Sequence, residues 1–125
     1  MNEIVASYIA GLFDGEGSAQ FKTRIETKRK GKRYNCLICT LEVSMTDETT
    51  IRFIHDSLKE GTVRLNVKNK SPSSKPYWRD QWRWRCGYQQ AYRVAKLLYP
   101  YSITKKDKLG EIIKYYDNKE TNSKT

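Results

Sequence analysis

The chain has 125 residues with 24 Lys and Arg against 14 Asp and Glu, a formal net charge of +10. That length suits one domain with its own hydrophobic core and leaves no room for separate binding and catalytic domains. The charge points to a polyanionic partner, nucleic acid first. No apolar run is long enough to span a bilayer, no basic amphipathic helix carries Trp or Phe on its apolar face, and the N-terminus lacks a signal-peptide pattern. The expectation is a soluble intracellular protein with no membrane partner and no small-molecule substrate.

Ile4, Val5, Tyr8, Ile9, Leu12 and Phe13 recur with helical spacing, and Gly15 and Gly17 are expected to end this first helix through the backbone freedom of glycine. A strand follows, with Ala19, Phe21 and Ile25 on one side and Gln20, Lys22, Arg24, Glu26 and Lys28 on the other. Lys28, Arg29, Lys30, Gly31, Lys32 and Arg33 make a basic hairpin tip. The return strand, from about Tyr34 to Ser44, turns Leu37, Cys39, Leu41 and Val43 inward. Ser44 or Thr46 can cap a second helix, with Asp47 and Glu48 in its first turn, a stripe of Ile51, Ile54 and Leu58, and Gly61 at its end. A third strand alternates Val63, Leu65 and Val67 with Arg64, Asn66 and Lys68. After a Ser-, Pro- and Lys-rich loop, a fourth alternates Trp82, Trp84 and Cys86 with Gln81, Arg83 and Arg85. Ala91, Ala95 and Leu98 mark a third helix stopped by Pro100, and Leu109, Ile112, Ile113 and Tyr116 a fourth. Residues 1–117 read as one domain and 118–125 as a polar, disordered tail.

The order α-β-β-α-β-β-α-α predicts an α+β fold, a four-stranded antiparallel sheet with helices on one face. Cys36 and Cys39 form a C-x-x-C, but residues three apart on a strand face opposite ways, and Cys86 with the lone His55 does not complete a zinc ligand set. The uncovered sheet face carries Lys22, Arg24, Lys28, Arg64, Lys68, Arg83 and Arg85, with Gln20, Asn66 and Gln81 between them and Glu26 and Glu42 as its acids. A solvated sheet face explains polarity but not this sign. Arg suits guanine, and Asn or Gln adenine; a β-ribbon fits the major groove, and the tip at Lys28, Arg29, Lys30, Lys32 and Arg33 would track the backbone. Double-stranded DNA is the expected partner.

The segment from Tyr8 to Ser18 carries two oddities. Ser7, Ala10, Gly11 and Asp14, at i, i+3, i+4 and i+7, form a stripe of small residues. Such a stripe admits close helix approach, and a second copy of the same helix is its natural match. Asp14 and Glu16 sit where carboxylates oppose the helix dipole and where free carbonyls lie. Carboxylate plus carbonyl oxygen makes a hard-cation site of the Mg type, and pairing the helix with its mate would put two such sites side by side for phosphodiester displacement.

Ile9-Ala10-Gly11-Leu12-Phe13-Asp14-Gly15-Glu16-Gly17 resembles the signature of the LAGLIDADG homing endonucleases. The α-β-β-α-β-β-α core is similar to that family from about Ile4 to Tyr116, and Pro100-Tyr101-Ser102-Ile103-Thr104-Lys105-Lys106 is similar to its Pro-Tyr stretch leading to a basic residue. The resemblance implies that Glu16 binds metal, that the Gly15 carbonyl also reaches it, and that Lys105, with Lys106 as the alternative register, lies near the scissile phosphates. Asp14 is then structural, near the dimer contact. It further implies Mg2+, with Mn2+ or Ca2+ able to substitute for binding. The family's water pocket would fall near Met45, Thr46 and Asp47, where Met45 departs from the usual polar residue. A single motif resembles the homodimeric branch, which makes double-strand breaks in long, nearly palindromic intron or intein homing sites. The alternative is a non-catalytic binder of the same fold, an intron maturase or a DNA-binding regulator.

Overall fold

The structure, a computed structural model, describes residues 2–27, 30–67 and 79–123. Helix α1 (Glu3–Glu16) starts where the Asn2 side chain accepts from the Ile4 amide at 2.7 Å. Strands β1 (Gly17–Thr27) and β2 (Arg33–Met45) form a hairpin. Helix α2 (Glu48–Leu58), strands β3 (Thr62–Asn66) and β4 (Gln81–Gly87), and helices α3 (Gln89–Leu98) and α4 (Lys106–Ser123) follow. The sheet is antiparallel in the order β1-β2-β4-β3, so β4 lies between β2 and β3.

The helices cover one face of this sheet. Ile9, Ala10 and Phe13 of α1, Ile51, Ile54 and Leu58 of α2, Ala91, Val94, Ala95 and Leu98 of α3, and Leu109, Ile112 and Tyr116 of α4 are buried. They meet Cys39, Leu41 and Val43 of β2 and Trp84 and Cys86 of β4. Cross-strand register puts Leu41 opposite Cys86 and Val43 opposite Trp84, so the inward rows of the two central strands coincide. The expected α+β architecture is therefore present. No helix of the described residues is long and apolar enough to cross a membrane.

Several boundaries differ from expectation. Helix α1 runs through Gly15 to Glu16 before it ends, and Gly17 caps it in an extended conformation (φ −90°, ψ 168°), one of the two exits from the helix that glycine permits. Gly17 is glycine for space: a Cβ there would lie 2.6 Å from the Phe13 carbonyl oxygen and 2.3 Å from its ring. The cap of α2 is Asp47, whose carboxylate accepts from the Thr50 amide, and not Ser44 or Thr46. Lys59 takes the left-handed position after α2, and Gly61 (φ +87°) instead turns the chain into β3, where a Cβ would come within 2.7 Å of the Arg85 carbonyl oxygen. The α4 backbone continues past Asp117 to Ser123, through residues expected as a disordered tail, with neither Gly nor Pro to interrupt it.

The sheet is also longer on one side than its helical cover. The β1–β2 ladder extends from Gly17↔Val43 to Thr27↔Arg33, whereas β4 pairs only with Thr40 to Met45 of β2. The far half of the hairpin is thus a two-stranded ribbon beyond the four-stranded sheet. Phe21, edge-on to Tyr115 of α4 at 5.5 Å, packs near the limit of the cover. Ile25, expected to face in, is 64% exposed because no helix reaches it. Leu65 of the edge strand β3 and Val67 just beyond it are exposed as well.

All three cysteines are free. Cys39 and Cys36 face opposite sides of β2, the first buried and the second half-buried. Burial raises the Cys39 thiol above its ordinary value and pushes Cys86 up to about 12. A thiolate-selective reagent is therefore expected to label Cys36 rapidly in the native protein and to reach Cys39 and Cys86 only in denaturant, as read by mass spectrometry of labelled peptides.

Candidate active site and nucleic-acid interface

The open face of the sheet is built by register. Gln20, Lys22, Arg24 and Glu26 of β1 alternate with the core-facing residues, and their partners on β2 are Thr40, Ile38, Cys36 and Tyr34. On the other side Arg64 stands directly opposite Arg83, Asn66 opposite Gln81, and Thr62 opposite Arg85. Arg64, Arg83 and Arg85, with Thr62, Leu65 and Asn66, line a cleft. Like charges directly across a ladder repel, so this cluster carries a standing cost that an anion would relieve. The acids offset it only in part. Glu42 lies 3.6 Å from Arg83, and Glu26 pairs with Arg24 within its own strand. Lys30, Lys32 and Arg33 are exposed at the hairpin tip. Lys28, Arg29 and Lys68 lie outside the described residues.

Helix α1 delivers the acidic end of the site to this sheet. Its inner arc is Ala6, Ile9, Ala10 and Phe13. Its outer line is Ile4, Ser7, Tyr8, Gly11 and Gly15, all exposed. Ala10 was expected on the pairing stripe, but it is fully buried in the chain's own core, on the same arc as Ala6 and Phe13. Asp14 also turns inward. Ser7 and Gly11 stay outward, and a Cβ at Gly11 or Gly15 would meet nothing within 4 Å. Ile4, 77% exposed, and Tyr8, which meets Phe53 of α2 edge-on at 5.8 Å, flank the line with apolar surface that the sequence stripe did not include.

At the C-terminal end of α1 two segments 88 to 91 residues apart meet. The Ser102 hydroxyl donates to the Asp14 carboxylate, as do the amides of Ile103 at 2.7 Å and Lys105 at 3.3 Å. The Asp14 carbonyl accepts from Thr104 Oγ1 at 3.1 Å and from Lys105 Nζ at 2.9 Å. Burial alone would raise the Asp14 carboxyl, but the bonds from Ser102, Ile103, Lys105 and Thr104 together hold it below the ordinary carboxylate range. Lys105 is therefore brought to the helix end that carries Gly15 and Glu16. Lys106 is not: its amine lies 4.8 Å from the Tyr99 ring centre.

Glu16 is exposed, and no hydrogen bond or ion pair engages it among the described residues. No group of three or more His, Cys, Asp or Glu gathers to hold a metal among the described residues. A hard cation of the Mg type needs no such cage, because it binds through one or two carboxylates plus substrate phosphates. An uncommitted carboxylate at a helix end, next to a basic sheet, fits that donor pattern. Of the residues proposed for the water pocket, Asp47 is committed to capping α2, and Met45 pairs with Trp82 at the end of β2.

No family model matches the sequence, and no curated protein matches it. Solved structures do match in fold. The homing endonuclease I-CvuI in complex with its target has a TM-score of 0.65 at 15% identity, over 90% of this chain and 65% of that one. The archaeal intron-encoded homing endonuclease I-Vdi141I complexed with DNA gives 0.62 at 17% identity, over 88% and 65%. The homing endonuclease I-TnaI gives 0.62 at 15% identity, over 94% and 74%. The chain thus has the homing endonuclease fold, and it spans just under two thirds of the length of the first two of these proteins.

Proposed function

We propose that this chain is a site-specific DNA endonuclease of the LAGLIDADG type, acting as a homodimer on a long, nearly palindromic duplex with a divalent cation, Mg2+ by preference. The observation that carries this reading is the Lys105 amine bound to the Asp14 carbonyl at the end of α1 that carries Glu16, beside a sheet face whose described bases are Lys22, Arg24, Arg64, Arg83 and Arg85. The neighbours support it: I-CvuI and I-Vdi141I are described in complex with DNA, the former in the presence of 2 mM Ca and, with its DNA not cleaved, of 2 mM Mg.

In this mechanism the outer line of α1, with Gly11 and Gly15 at its centre and Ser7, Ile4 and Tyr8 around them, packs on the same line of a second copy. Two Glu16 carboxylates then stand near the twofold axis, one for each DNA strand. Each sheet lies along one half-site, with Arg64, Arg83 and Arg85 on base edges or phosphates. Glu16, with the Gly15 carbonyl, would hold the cation. The cation would supply Lewis-acid stabilisation and a lowered pKa for the attacking water. Lys105 presents a fixed positive charge to the phosphate as negative charge builds on its oxygens. Water adds to phosphorus, and the bond from phosphorus to the leaving sugar oxygen breaks. A non-catalytic binder has no use for an uncommitted carboxylate beside phosphates.

The test is a pool of plasmids carrying random inserts of about two DNA turns, the span of two half-sites. With Mg2+, a small set of related, nearly palindromic inserts is expected to be linearised, and EDTA is expected to stop cleavage without releasing the protein. Selective binding with no cut in Mg2+ or Mn2+ would replace this reading with that of a maturase or regulator.

A further inference from the structure

We infer that Asp14 is a positioning residue, which latches the 102–105 segment onto the end of α1 and so fixes the Lys105 amine at the helix end that carries Glu16. The inference rests on the endonuclease reading for its catalytic consequence, but the latch itself is a matter of geometry.

Asp14 works from both its side chain and its backbone. Its carboxylate takes three donors from the segment: the Ser102 hydroxyl and the Ile103 and Lys105 amides. Its carbonyl is one of the acceptors left without a partner in the last turn of a helix, and there it takes Thr104 Oγ1 and Lys105 Nζ. A cation at that end also opposes the negative pole of the helix, which two nearby carboxylates would otherwise worsen. A free lysine samples many rotamers, whereas this one is tied at both its backbone amide and its amine. Fixing a charged group before substrate arrives is what lowers a barrier through orientation.

The segment has limited apolar reason to sit there. Ile103 is 83% exposed and contributes little burial, and Ser102 is buried with its hydroxyl committed to Asp14. Polar bonds to one residue therefore do much of the holding. Lys106, one residue on and free of the latch, rests on Tyr99 instead.

Two measurements test this on the full chain. The first is trace acetylation of metal-free protein with acetic anhydride, with Lys106 as the internal reference. In wild type, Lys105 should react more slowly than Lys106. In Asp14→Asn the Lys105 rate should rise at least about fivefold, the ratio for one lost hydrogen bond of ~1 kcal/mol. Thr104→Val, a milder change, should raise it less, and it carries the test if Asp14→Asn does not fold. The second is single-turnover cleavage beside DNA affinity. Asp14→Asn should slow cleavage about 10- to 100-fold with affinity unchanged, in the range seen for small misplacements of catalytic groups. In a Lys105→Met background it should cost nothing further, because both changes remove the same placed charge. An unchanged Lys105 acetylation rate in both latch variants, or fully multiplicative losses in the double variant, would overturn the proposal. Wild-type protein that cuts no DNA while Lys105 stays shielded defeats the endonuclease reading and leaves the latch standing. Wild-type protein that cuts with Lys105 unshielded defeats the latch alone.

Discussion

Glu16→Gln is expected to reduce strand cleavage by at least about 100-fold, the scale on which loss of one electrostatic stabiliser is felt in a transition state. DNA affinity should hold, because Glu16 is an acid at the edge of a basic surface and its neutralisation removes repulsion toward phosphate. Stability should also hold. The side chain is exposed and engages no other group among the described residues, and the change removes a carboxylate from the negative end of a helix. Cleavage of a selected target, gel-shift affinity in Ca2+ and a thermal melt separate these three quantities. A variant that cuts at the wild-type rate in Mg2+ would remove Glu16 from the metal site.

The second large effect is expected on the open face of the sheet. Arg64→Ala, Arg83→Ala and Arg85→Ala should each weaken binding about 5- to 150-fold, since a bidentate contact to guanine is worth ~1–3 kcal/mol. Where an arginine reads a base, the loss should fall on targets with guanine at that position. Where it meets phosphate, the loss should be uniform and the salt slope should flatten by about 1. The same substitutions should leave folding stability unchanged or improved, because Arg64 and Arg83 face each other across the ladder as like charges. For Arg83 the gain should be smallest, since Glu42 at 3.6 Å already offsets it. Fluorescence anisotropy over a salt series, with melts of the free protein, would check both halves.

How far these features can be read from sequence depends on their range. Alternation along β1, β2 and β4 assigns sides without knowledge of what covers them, and the register agrees at Arg83, Trp84, Arg85 and Cys86. Alternation cannot say where the covering helices end, so Ile25 and Leu65 lie on the covered side and are nonetheless exposed. On α1 the stripe of small residues is visible, but its rotation is not. Ala10 has the size for a helix contact and lies on the arc of Ala6 and Phe13, while Ile4 and Tyr8, too large for the pattern, lie outside. The tie between Asp14 and the 102–105 segment has no local signature, because its donors are three hydroxyl or amine groups of common type and two backbone amides. Only the fold distinguishes Lys105 from Lys106. Asp14 as a structural residue was legible from family resemblance, but its partners were not.

The ribbon that projects beyond the helical cover has a consequence for how recognition can change over time. Lys22 is exposed at its base, and Arg24 and Glu26 stand farther along it, with the exposed Ile25 between them. Substitution there disturbs little that the core depends on, so preference at the outer base pairs can drift through nearly neutral steps. Arg83 and Arg85 sit on β4, whose other face is Trp84 and Cys86 in the packed interior. Changes beside those residues are screened by folding as well as by binding. On the proposed mode of DNA binding, the inner part of each half-site should therefore be the slow, inherited part of the target, and the outer part the adaptable one.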